Sequence, residues 1–321
     1  MKPPPAPRLV PRPLGRTGLL VTPLAVGTSP LAGMTRQYGY DVAGERAVAT
    51  LRAVFACPID FLDTANGYGE DGAAERRIGI AIQEAGGLPP GLVVATKVDP
   101  DPRTRDFSGE RVWASFAESL ERLGLERVPL LYLHDPERLV FTEATAPGGP
   151  LEALLELRRR GLVDHLGVAG GKVSVLREYV DTGEFEVILC HNRFTLLDRS
   201  CAGLFETARA RGMGVVNAAP YGGGMLAKGP AVQARYAYGR RDSRIAESAA
   251  AMQTACARRG IPLAAAALQF SMRSQTIDST VVGISSPERV AETLELATLE
   301  IPDRLWAELE ELTPPPELWL N

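Results

Sequence analysis

The chain alternates between short apolar runs and segments with helical spacing, and this alternation constrains its fold more than any other feature. Strand-like runs lie near residues 25, 61, 94, 132, 167, 188, 216 and 281, and most of them precede a helix-like segment. Repeated strand–helix units indicate a parallel sheet, and eight units over 321 residues predict a closed (β/α)8 TIM barrel. An open, doubly wound sheet is the alternative, but no GxGxxG sequence follows the first strand.

Further elements flank these eight units at both ends of the chain. Leu9–Pro11 and Leu19–Val21 enclose the turn sequence Gly15-Arg16-Thr17-Gly18, which predicts an N-terminal β-hairpin. Pro302–Leu312 has helical spacing and predicts an extra C-terminal helix. Residues 1–8 are rich in proline, so we expect a flexible tail followed by a single barrel domain over residues 9–321.

Charge and hydropathy exclude several classes of partner. The net charge is -4, from 35 Lys and Arg against 39 Asp and Glu, so there is no basic excess to neutralise a nucleic acid. The N-terminus lacks the apolar core of a secretory signal, and no stretch approaches eighteen uncharged apolar residues. We therefore expect a cytoplasmic protein with no membrane partner, and the sequence leaves its oligomeric state open.

The cysteines and histidines give no sign of a metal site. The four cysteines are scattered without a CxxC pair, and only three histidines are present. No Cys/His spacing matches a zinc pattern, so we predict no metal and mostly buried, reduced thiols. The cysteines are Cys57, Cys190, Cys201 and Cys256.

Three consecutive strand-like runs end in residues that can handle protons. Asp63, Lys97 and His134 close the second, third and fourth runs, and Tyr68 follows five residues after Asp63. In a barrel, the carboxyl ends of the strands carry the chemistry. A tyrosine has an ordinary pKa near ~10 and needs a neighbouring cation to exchange its proton at neutral pH. Lys97 can supply that charge and Asp63 can hold Lys97 protonated, so the set predicts general acid–base catalysis at a carbonyl or alcohol oxygen.

Each of these residues also has a structural interpretation. Asp63 can cap the turn that follows it, Tyr68 can be an ordinary loop aromatic, and His134 can be a satisfied core histidine. A lysine at a strand end points to the barrel mouth, which makes a random surface role a poor explanation of Lys97. Four such residues on one face favour a single site over four separate structural roles.

Four pieces of sequence around these residues form a recognisable set. Phe61–Gly69 reads FLDTANGYG, Glu75–Gly79 reads ERRIG, Ala95–Lys97 reads ATK and Leu131–His134 reads LYLH. They resemble the D-T-A-x-x-Y-G, E-x-x-x-G, lysine and histidine motifs of the aldo-keto reductase family, and the resemblance runs from about Leu14 to Leu312. It implies a (β/α)8 barrel, NADP or NAD as cofactor and carbonyl–alcohol interconversion. It further implies that Tyr68 is the acid/base, supported by Asp63, Lys97 and His134.

The glycine-rich loop after the seventh run and the start of the helix after the eighth suit a phosphate-bearing cofactor. Glycines let backbone N–H groups approach a pyrophosphate, and barrels favour phosphate sites at these two loops. Arg289 can bind a 2′-phosphate or stack on adenine, but Gly283 stands where many NADP-preferring relatives carry a lysine, so NAD and NADP both stay open. The cofactor-binding candidates are Gly27, Thr28, Asp63, His191, Asn217, Tyr221, Gly222, Gly223, Gly224, Met225, Leu226, Gly283, Ser285, Ser286 and Arg289.

The nicotinamide side departs from the common family pattern. Ala169-Gly170 stands where many relatives have Ser-Asn, and Ala218 stands where a tyrosine often stacks on the ring. These departures resemble a subgroup that oxidises sugar hemiacetals or pyridoxal, so the resemblance implies a sugar 1-dehydrogenase-like enzyme. A general aldehyde or ketone reductase is the second interpretation, and a cofactor-sensing regulatory subunit with little turnover is the third. We expect the pocket loops to decide between them, namely Met34–Tyr40, Arg103–Phe107, Leu139–Thr145 and Ala231–Arg241.

Overall fold

Eight parallel strands close into a barrel in the computed structural model, which describes residues 9–320. Each strand pairs with its neighbour in the chain, and the last pairs with the first through Val281 and Ala25. The predicted (β/α)8 barrel is therefore confirmed and the open sheet is excluded, while the predicted tail over residues 1–8 lies outside the described residues. A hairpin of β1 (Arg12–Pro13) and β2 (Leu20–Val21) precedes the barrel strands, which are β3 (Leu24–Gly27), β4 (Phe61–Asp63), β5 (Val93–Val98), β6 (Val128–His134), β7 (Val163–Gly170), β8 (Val187–His191), β9 (Gly214–Ala218) and β10 (Ser279–Gly283).

Helices surround the barrel and cover the outer face of its strands. In α4, Ser108 accepts a hydrogen bond from the backbone N–H of Arg111, and Gly124 ends the helix in the left-handed conformation. The α-helices are α1 (Thr35–Tyr38), α2 (Gly44–Phe55), α3 (Ala73–Glu84), α4 (Gly109–Leu123), α5 (Phe141–Ala144), α6 (Pro150–Arg159), α7 (Val173–Thr182), α8 (Ala202–Ala210), α9 (Met225–Lys228), α10 (Ser243–Ala257), α11 (Leu263–Met272), α12 (Pro287–Thr298) and α13 (Asp303–Glu311). Short 3₁₀ turns lie at Ser29–Ala32, Glu70–Gly72, Pro136–Arg138 and Pro316–Leu318.

Side chains alternate between the barrel interior and the helical layer along each strand. Phe61, Ala95, Tyr132 and Leu189 belong to the interior cluster. Successive side chains on a strand point to opposite faces, so residues two positions further on point the same way. The next inward-facing residues of β4, β5, β6 and β8 therefore lie at the barrel mouth. They are Asp63, Lys97, His134 and His191.

The N-terminal hairpin closes the opposite end of the barrel. Its strands pair Arg12 with Val21 and Pro13 with Leu20, so pairing begins later than the predicted Leu9–Pro11. The backbone N–H of Leu14 donates to the carbonyl of Leu19 and closes the turn. Only the two residues on each side of this turn are close enough to pair as strands. Leu14 is fully buried in the interior cluster, so the hairpin covers the amino-terminal end of the barrel.

The C-terminal segment adds a second apolar cluster outside the barrel. Leu305 and Leu309 of α13 pack with Ile245 and Met252 of α10, as expected for the extra helix. None of the helices within residues 9–320 is long and apolar enough to cross a membrane. The cysteines are free thiols, and all except the half-buried Cys57 are buried, which agrees with the sequence prediction.

Candidate active site

A cavity of about 770 Å³ opens at the carboxyl ends of the barrel strands. Asp63 at the end of β4, Lys97 in β5, His134 at the end of β6 and Tyr68 in the loop after β4 all line it. The structure therefore brings together the four residues that the sequence predicts as one site.

Lys97 is the centre of the hydrogen-bonding network in this cavity. Its Nζ lies 2.7 Å from Asp63 Oδ1, 2.7 Å from the carbonyl oxygen of Thr64 and 3.2 Å from Tyr68 Oη. The Lys97 side chain is only 1% exposed, so all three of its protons are directed to protein oxygens. A buried ammonium group requires such partners, since leaving it unpaired costs several kcal/mol, roughly 3–5 by analogy with broken buried pairs.

Tyr68 presents its hydroxyl between Lys97 and the cavity. Burial raises the pKa of Tyr68 well above its ordinary value, and the charge of Asp63 raises it further. The phenol is therefore protonated at neutral pH. In this form it donates a hydrogen bond to an oxygen in the cavity, and it needs a compensating positive charge before it gives up its proton.

His134 packs edge-on against Tyr68 with ring centroids 5.6 Å apart. It also contacts Asp99, a residue that was not predicted from the sequence. Its Nδ1 lies 2.8 Å from Asp99 Oδ1. Asp99 stands two residues after Lys97, so the alternation along the same strand predicts that it faces the same cavity. That signal was available in the sequence, but a carboxylate two positions beyond a motif is not distinctive by itself.

Asp135 and His191 form a polar wall beside His134. His134 Nε2 lies 3.8 Å and His191 Nε2 lies 3.9 Å from Asp135 Oδ1. Burial lowers the pKa of His191 to about 4, despite the opposing effect of Asp135. His191 is therefore neutral at physiological pH, and its ring faces the cavity as a polar, uncharged group.

Donor atoms of Asp135, Glu137 and His191 lie within 4.8 Å of one another, which is close enough to ligate one cation. Two contacts disfavour that role. The amide of Asn192 lies 3.1 Å from His191 Nδ1; if it donates there, the ring proton stays on Nε2, which then has no lone pair for a metal. Arg138 already donates to Asp135 Oδ2 at 2.7 Å and supplies a positive charge. These groups suit hydrogen bonds to a polar substrate better than metal binding.

A second cavity of about 140 Å³ adjoins the first, and both are lined by Tyr38, Tyr238 and Gly283. The smaller cavity lies among the loops after β9 and β10, and it brings two cations, Lys228 and Arg289, together. No carboxylate is found among the described residues that line it. The cofactor candidates that line either cavity are Gly27, Asp63, His191, Tyr221, Gly223, Gly224, Gly283, Ser285 and Arg289.

Two cofactor candidates are corrected because strand alternation turns their side chains away from the cavity. Asn217 lies between the inward-facing Val216 and Ala218, and it donates hydrogen bonds to the carbonyl of Phe194 and to Ser271, each 2.8 Å long. Thr28 is fully buried and donates to the Asp63 carbonyl at 3.1 Å. Both side chains bond to protein groups around the site, and neither residue lines either cavity.

Four further candidates lie next to the smaller cavity without lining it. Met225 and Leu226 are fully buried in the outer apolar cluster, because the first turn of α9 packs its apolar side chains inward. Gly222 is buried against the ring of Tyr236, and Ser286 occupies the N-cap position of α12. Of the predicted run over residues 221–226, only Tyr221, Gly223 and Gly224 therefore line the cavity.

Three of the four predicted pocket loops reach the cavities. Met34–Tyr40 contributes Tyr38, Arg103–Phe107 contributes Arg105, and Ala231–Arg241 contributes Tyr238. The prediction for Leu139–Thr145 is wrong: the preceding turn supplies Arg138 instead, and the chain then enters α5, which packs on α7 through the Phe141–Tyr179 contact.

Comparison with known proteins agrees with this geometry. The model of the aldo/keto reductase family matches residues 23–314, which is most of the chain.

The chain belongs to the aldo/keto reductase family.

It is accordingly an NAD(P)-dependent oxidoreductase. The D-threo-aldose 1-dehydrogenase of a Pseudomonas species is 34% identical to this aldo/keto reductase over 92% of the chain and 94% of its own length. The pyridoxal 4-dehydrogenase of Microbacterium luteolum is 30% identical, with 93% and 96% covered. The L-galactose dehydrogenase of Arabidopsis thaliana is also 30% identical, with 95% and 94% covered. These similarities confirm the resemblance that the sequence motifs indicate.

Solved structures confirm the fold. An aldo-keto reductase from Bacillus halodurans superposes with a TM-score of 0.77 at 20% identity and covers 95% of this chain and 97% of its own. A putative aldo-keto reductase from Pseudomonas aeruginosa gives a TM-score of 0.66 at 22% identity, with 91% and 95% covered.

The cavities of this aldo/keto reductase fit a nicotinamide dinucleotide. The larger cavity holds the proton-handling residues, and the smaller one continues from it toward Lys228 and Arg289, as an elongated ligand with phosphate groups requires. Among the described residues, no atom lies nearer than 3.8 Å to the place of a Cβ on Gly224, so the loop leaves space for a ligand there, although the backbone N–H of Gly224 already donates to the carbonyl of Tyr221 at 3.0 Å. The Oδ2 atom of Asp63 is buried without a hydrogen-bond partner among residues 9–320, which leaves one acceptor beside the larger cavity.

Proposed function

We propose that this aldo/keto reductase oxidises the hemiacetal carbon of a sugar-like substrate to a lactone and runs the reverse reduction on a carbonyl. The polar wall of the cavity is the observation that carries the proposal. His134, Asp135, Arg138 and His191 line the same cavity as the Tyr68 hydroxyl. A substrate with several hydroxyl groups can form hydrogen bonds with the polar side chains of this wall. An apolar aldehyde would leave those side chains unpaired, at a cost of about 1–3 kcal/mol each. The aldose and galactose dehydrogenases among the relatives support the same class.

In this proposal, Tyr68 exchanges a proton with the reacting oxygen of the substrate. Oxidation removes a hydride from the carbon and a proton from its hydroxyl, and it leaves a C=O bond; the bound nicotinamide supplies the acceptor or donor of the hydride. The ammonium of Lys97 lies 3.2 Å from the Tyr68 oxygen and stabilises the tyrosinate, and Asp63 pairs with that ammonium and holds it in place. His134 provides a second polar contact to the same oxygen.

We further propose that the smaller cavity holds the adenosine and phosphate part of the cofactor and that this enzyme prefers NADP to NAD. Gly223 offers a backbone group and Ser285 a hydroxyl group there, and Lys228 and Arg289 supply two positive charges. Arg289 is free to turn to a phosphate because its side chain is 44% exposed and its contact with Glu292 is a loose 3.5 Å.

Arg289→Ala should therefore discriminate between the two nucleotides. We expect the Kd for NADP to rise about 10- to 100-fold, the value of one charge-assisted hydrogen bond to a phosphate, while the Kd for NAD changes by about twofold or less. Tryptophan-fluorescence or calorimetric titration of the purified protein measures both constants. Arg46→Ala is the matched control, because Arg46 binds Glu288 of the same helix and lines neither cavity. An equal loss for NAD and NADP would contradict the preference for a 2′-phosphate.

Absorbance at the reduced-nicotinamide band tests the reaction itself. L-fucose, D-arabinose, pyridoxal and a simple aromatic aldehyde are each assayed with NADP or NAD, or with the reduced nucleotide for the aldehyde. We expect the largest kcat/KM for an aldose in the oxidative direction. Preference for the aromatic aldehyde would instead favour a general aldehyde reductase, and no absorbance change with any pair would favour a regulatory protein.

A further inference from the structure

The carboxylate of Asp99 joins two parts of the active site that are distant in sequence. One oxygen lies 2.8 Å from Nδ1 of His134 at the end of β6. The other accepts a hydrogen bond of 2.7 Å from the backbone N–H of Gly67, which directly precedes Tyr68. Asp99 is only 3% exposed, so these bonds are shielded from water and from screening ions.

We propose that Asp99 is a positioning residue of this site, which fixes the proton of His134 on Nδ1 and ties the ring to the loop that carries Tyr68. The catalytic part of this proposal rests on the proposed function, because it assumes that Tyr68 and His134 contact the reacting oxygen. The effect of Asp99 on the His134 ring does not depend on which substrate binds.

The surroundings of Asp99 hold its carboxylate in one place. Its backbone N–H donates to Ser115 Oγ at 3.0 Å, and its carbonyl accepts from Arg111 Nε at 3.2 Å. A Cβ added to Gly67 would lie 2.9 Å from the Asp99 carboxyl group, so only glycine allows the loop to approach this closely. A carboxylate that accepts from Gly67, on a residue whose backbone is bonded at both its N–H and its carbonyl, can orient an imidazole with little further loss of conformational entropy.

The bond to Asp99 determines what His134 offers to the cavity. A carboxylate accepts hydrogen bonds only, so Nδ1 carries the proton and Nε2 has a bare lone pair when the ring is neutral. Nε2 becomes a donor only when the whole ring is charged. Donation from His134 to a substrate oxygen therefore requires the imidazolium, and Asp99 supplies the negative charge that stabilises it.

The balance of charge around His134 favours that imidazolium. Burial by itself lowers the pKa of His134, but Asp99 and Asp135 outweigh it and raise the pKa above its ordinary value, against a smaller opposing effect of Lys97. The same interactions lower the pKa of Asp99, whose burial has the opposite effect. The titratable or charged groups that face His134 are Tyr68 in the loop after β4, Lys97 in β5, Asp99 after β5, Asp135 and Arg138 after β6, and His191 in β8.

Nitrogen NMR of the protein labelled with ¹⁵N-histidine tests this arrangement directly. The chain contains only three histidines, so single His→Gln variants assign each ring. In the wild-type protein, we expect His134 to carry its proton on Nδ1 when neutral and to titrate at a higher pH than His191. A wild-type His134 with its proton on Nε2 would overturn the proposal.

Asp99→Asn removes the negative charge of Asp99 and one of its two acceptor oxygens. The amide oxygen can accept either from His134 Nδ1 or from the Gly67 N–H, and in both orientations the charge that stabilises the imidazolium is lost, so the His134 midpoint should fall by about one pH unit or more. Asp101→Asn is the control for the midpoint, because Asp101 accepts its hydrogen bonds from its own loop, at the backbone N–H groups of Arg103 and Thr104. An unchanged His134 midpoint in Asp99→Asn would contradict the proposal.

Steady-state kinetics then separates a positioning role from a purely structural one. In Asp99→Asn, we expect the limb of the kcat/KM–pH profile that reports His134 to move to lower pH, in parallel with the NMR midpoint. A lower Tm with an unmoved limb would indicate a structural role alone and would overturn the catalytic part. The NMR titration needs no substrate, so it tests the effect of Asp99 on His134 even if no sugar is oxidised in the absorbance assay.

Discussion

Tyr68→Phe should lower kcat by roughly 10²- to 10⁴-fold, the usual contribution of a positioned general acid–base group. The substitution removes a single oxygen and leaves the aromatic ring that packs on His134. Lys97 keeps its bonds to Asp63 and to the carbonyl of Thr64, so the buried ion pair survives. We therefore expect a large loss of turnover with a small change in thermal stability, measured with the best substrate of the assay above.

Tyr179→Phe is the matched control for this experiment. Tyr179 is fully buried in the helical layer and lines neither cavity, and its hydroxyl has no hydrogen-bond partner within residues 9–320. Its loss should leave kcat unchanged within about twofold, because surrounding residues make no polar contact to the missing oxygen. A Tyr68→Phe variant that keeps full turnover would disprove the proton exchange assigned to Tyr68.

Lys97→Met should both abolish turnover and destabilise the fold. Removal of the ammonium leaves the Asp63 carboxylate buried without its cation at 2.7 Å, and such a break typically costs about 3–5 kcal/mol. The same change deprives Tyr68 of the neighbouring positive charge that stabilises its anion. Urea unfolding measures the first effect, and single-turnover assays of the folded fraction measure the second.

The double variant Asp63→Asn/Lys97→Met distinguishes these two effects. Neither remaining side chain is charged, so the penalty for an unpaired buried carboxylate disappears and most of the lost stability should return. Turnover should stay as low as in Lys97→Met, because the cation beside Tyr68 is still absent. Recovery of activity together with stability would show that Lys97 acts only through the fold.

The order of residues along the chain is enough to predict the barrel and most of the proton-handling site. Eight apolar runs separated by helical segments leave few other ways to bury the strands, because each parallel strand needs a crossover that covers the sheet. Once the barrel is inferred, the strand ends must meet at one mouth, and Asp63, Lys97 and His134 follow from their position at those ends. Local order along the chain is sufficient for this step.

Contacts between loops depend on the three-dimensional packing and could not be predicted from the sequence. The sequence shows that Asp99 follows Lys97, but it does not show that the Gly67 backbone approaches closely enough for its carboxylate to link that loop to His134. The tertiary structure likewise decided which predicted cofactor residues face a cavity, since Asn217 and Thr28 follow the strand alternation outward. Strand periodicity is a property of the local backbone and can be read from the sequence. The contact between Tyr38 and Tyr238, and the presence of Lys228 and Arg289 around one cavity, depend on how separate loops pack in space, and no short-range pattern encodes them.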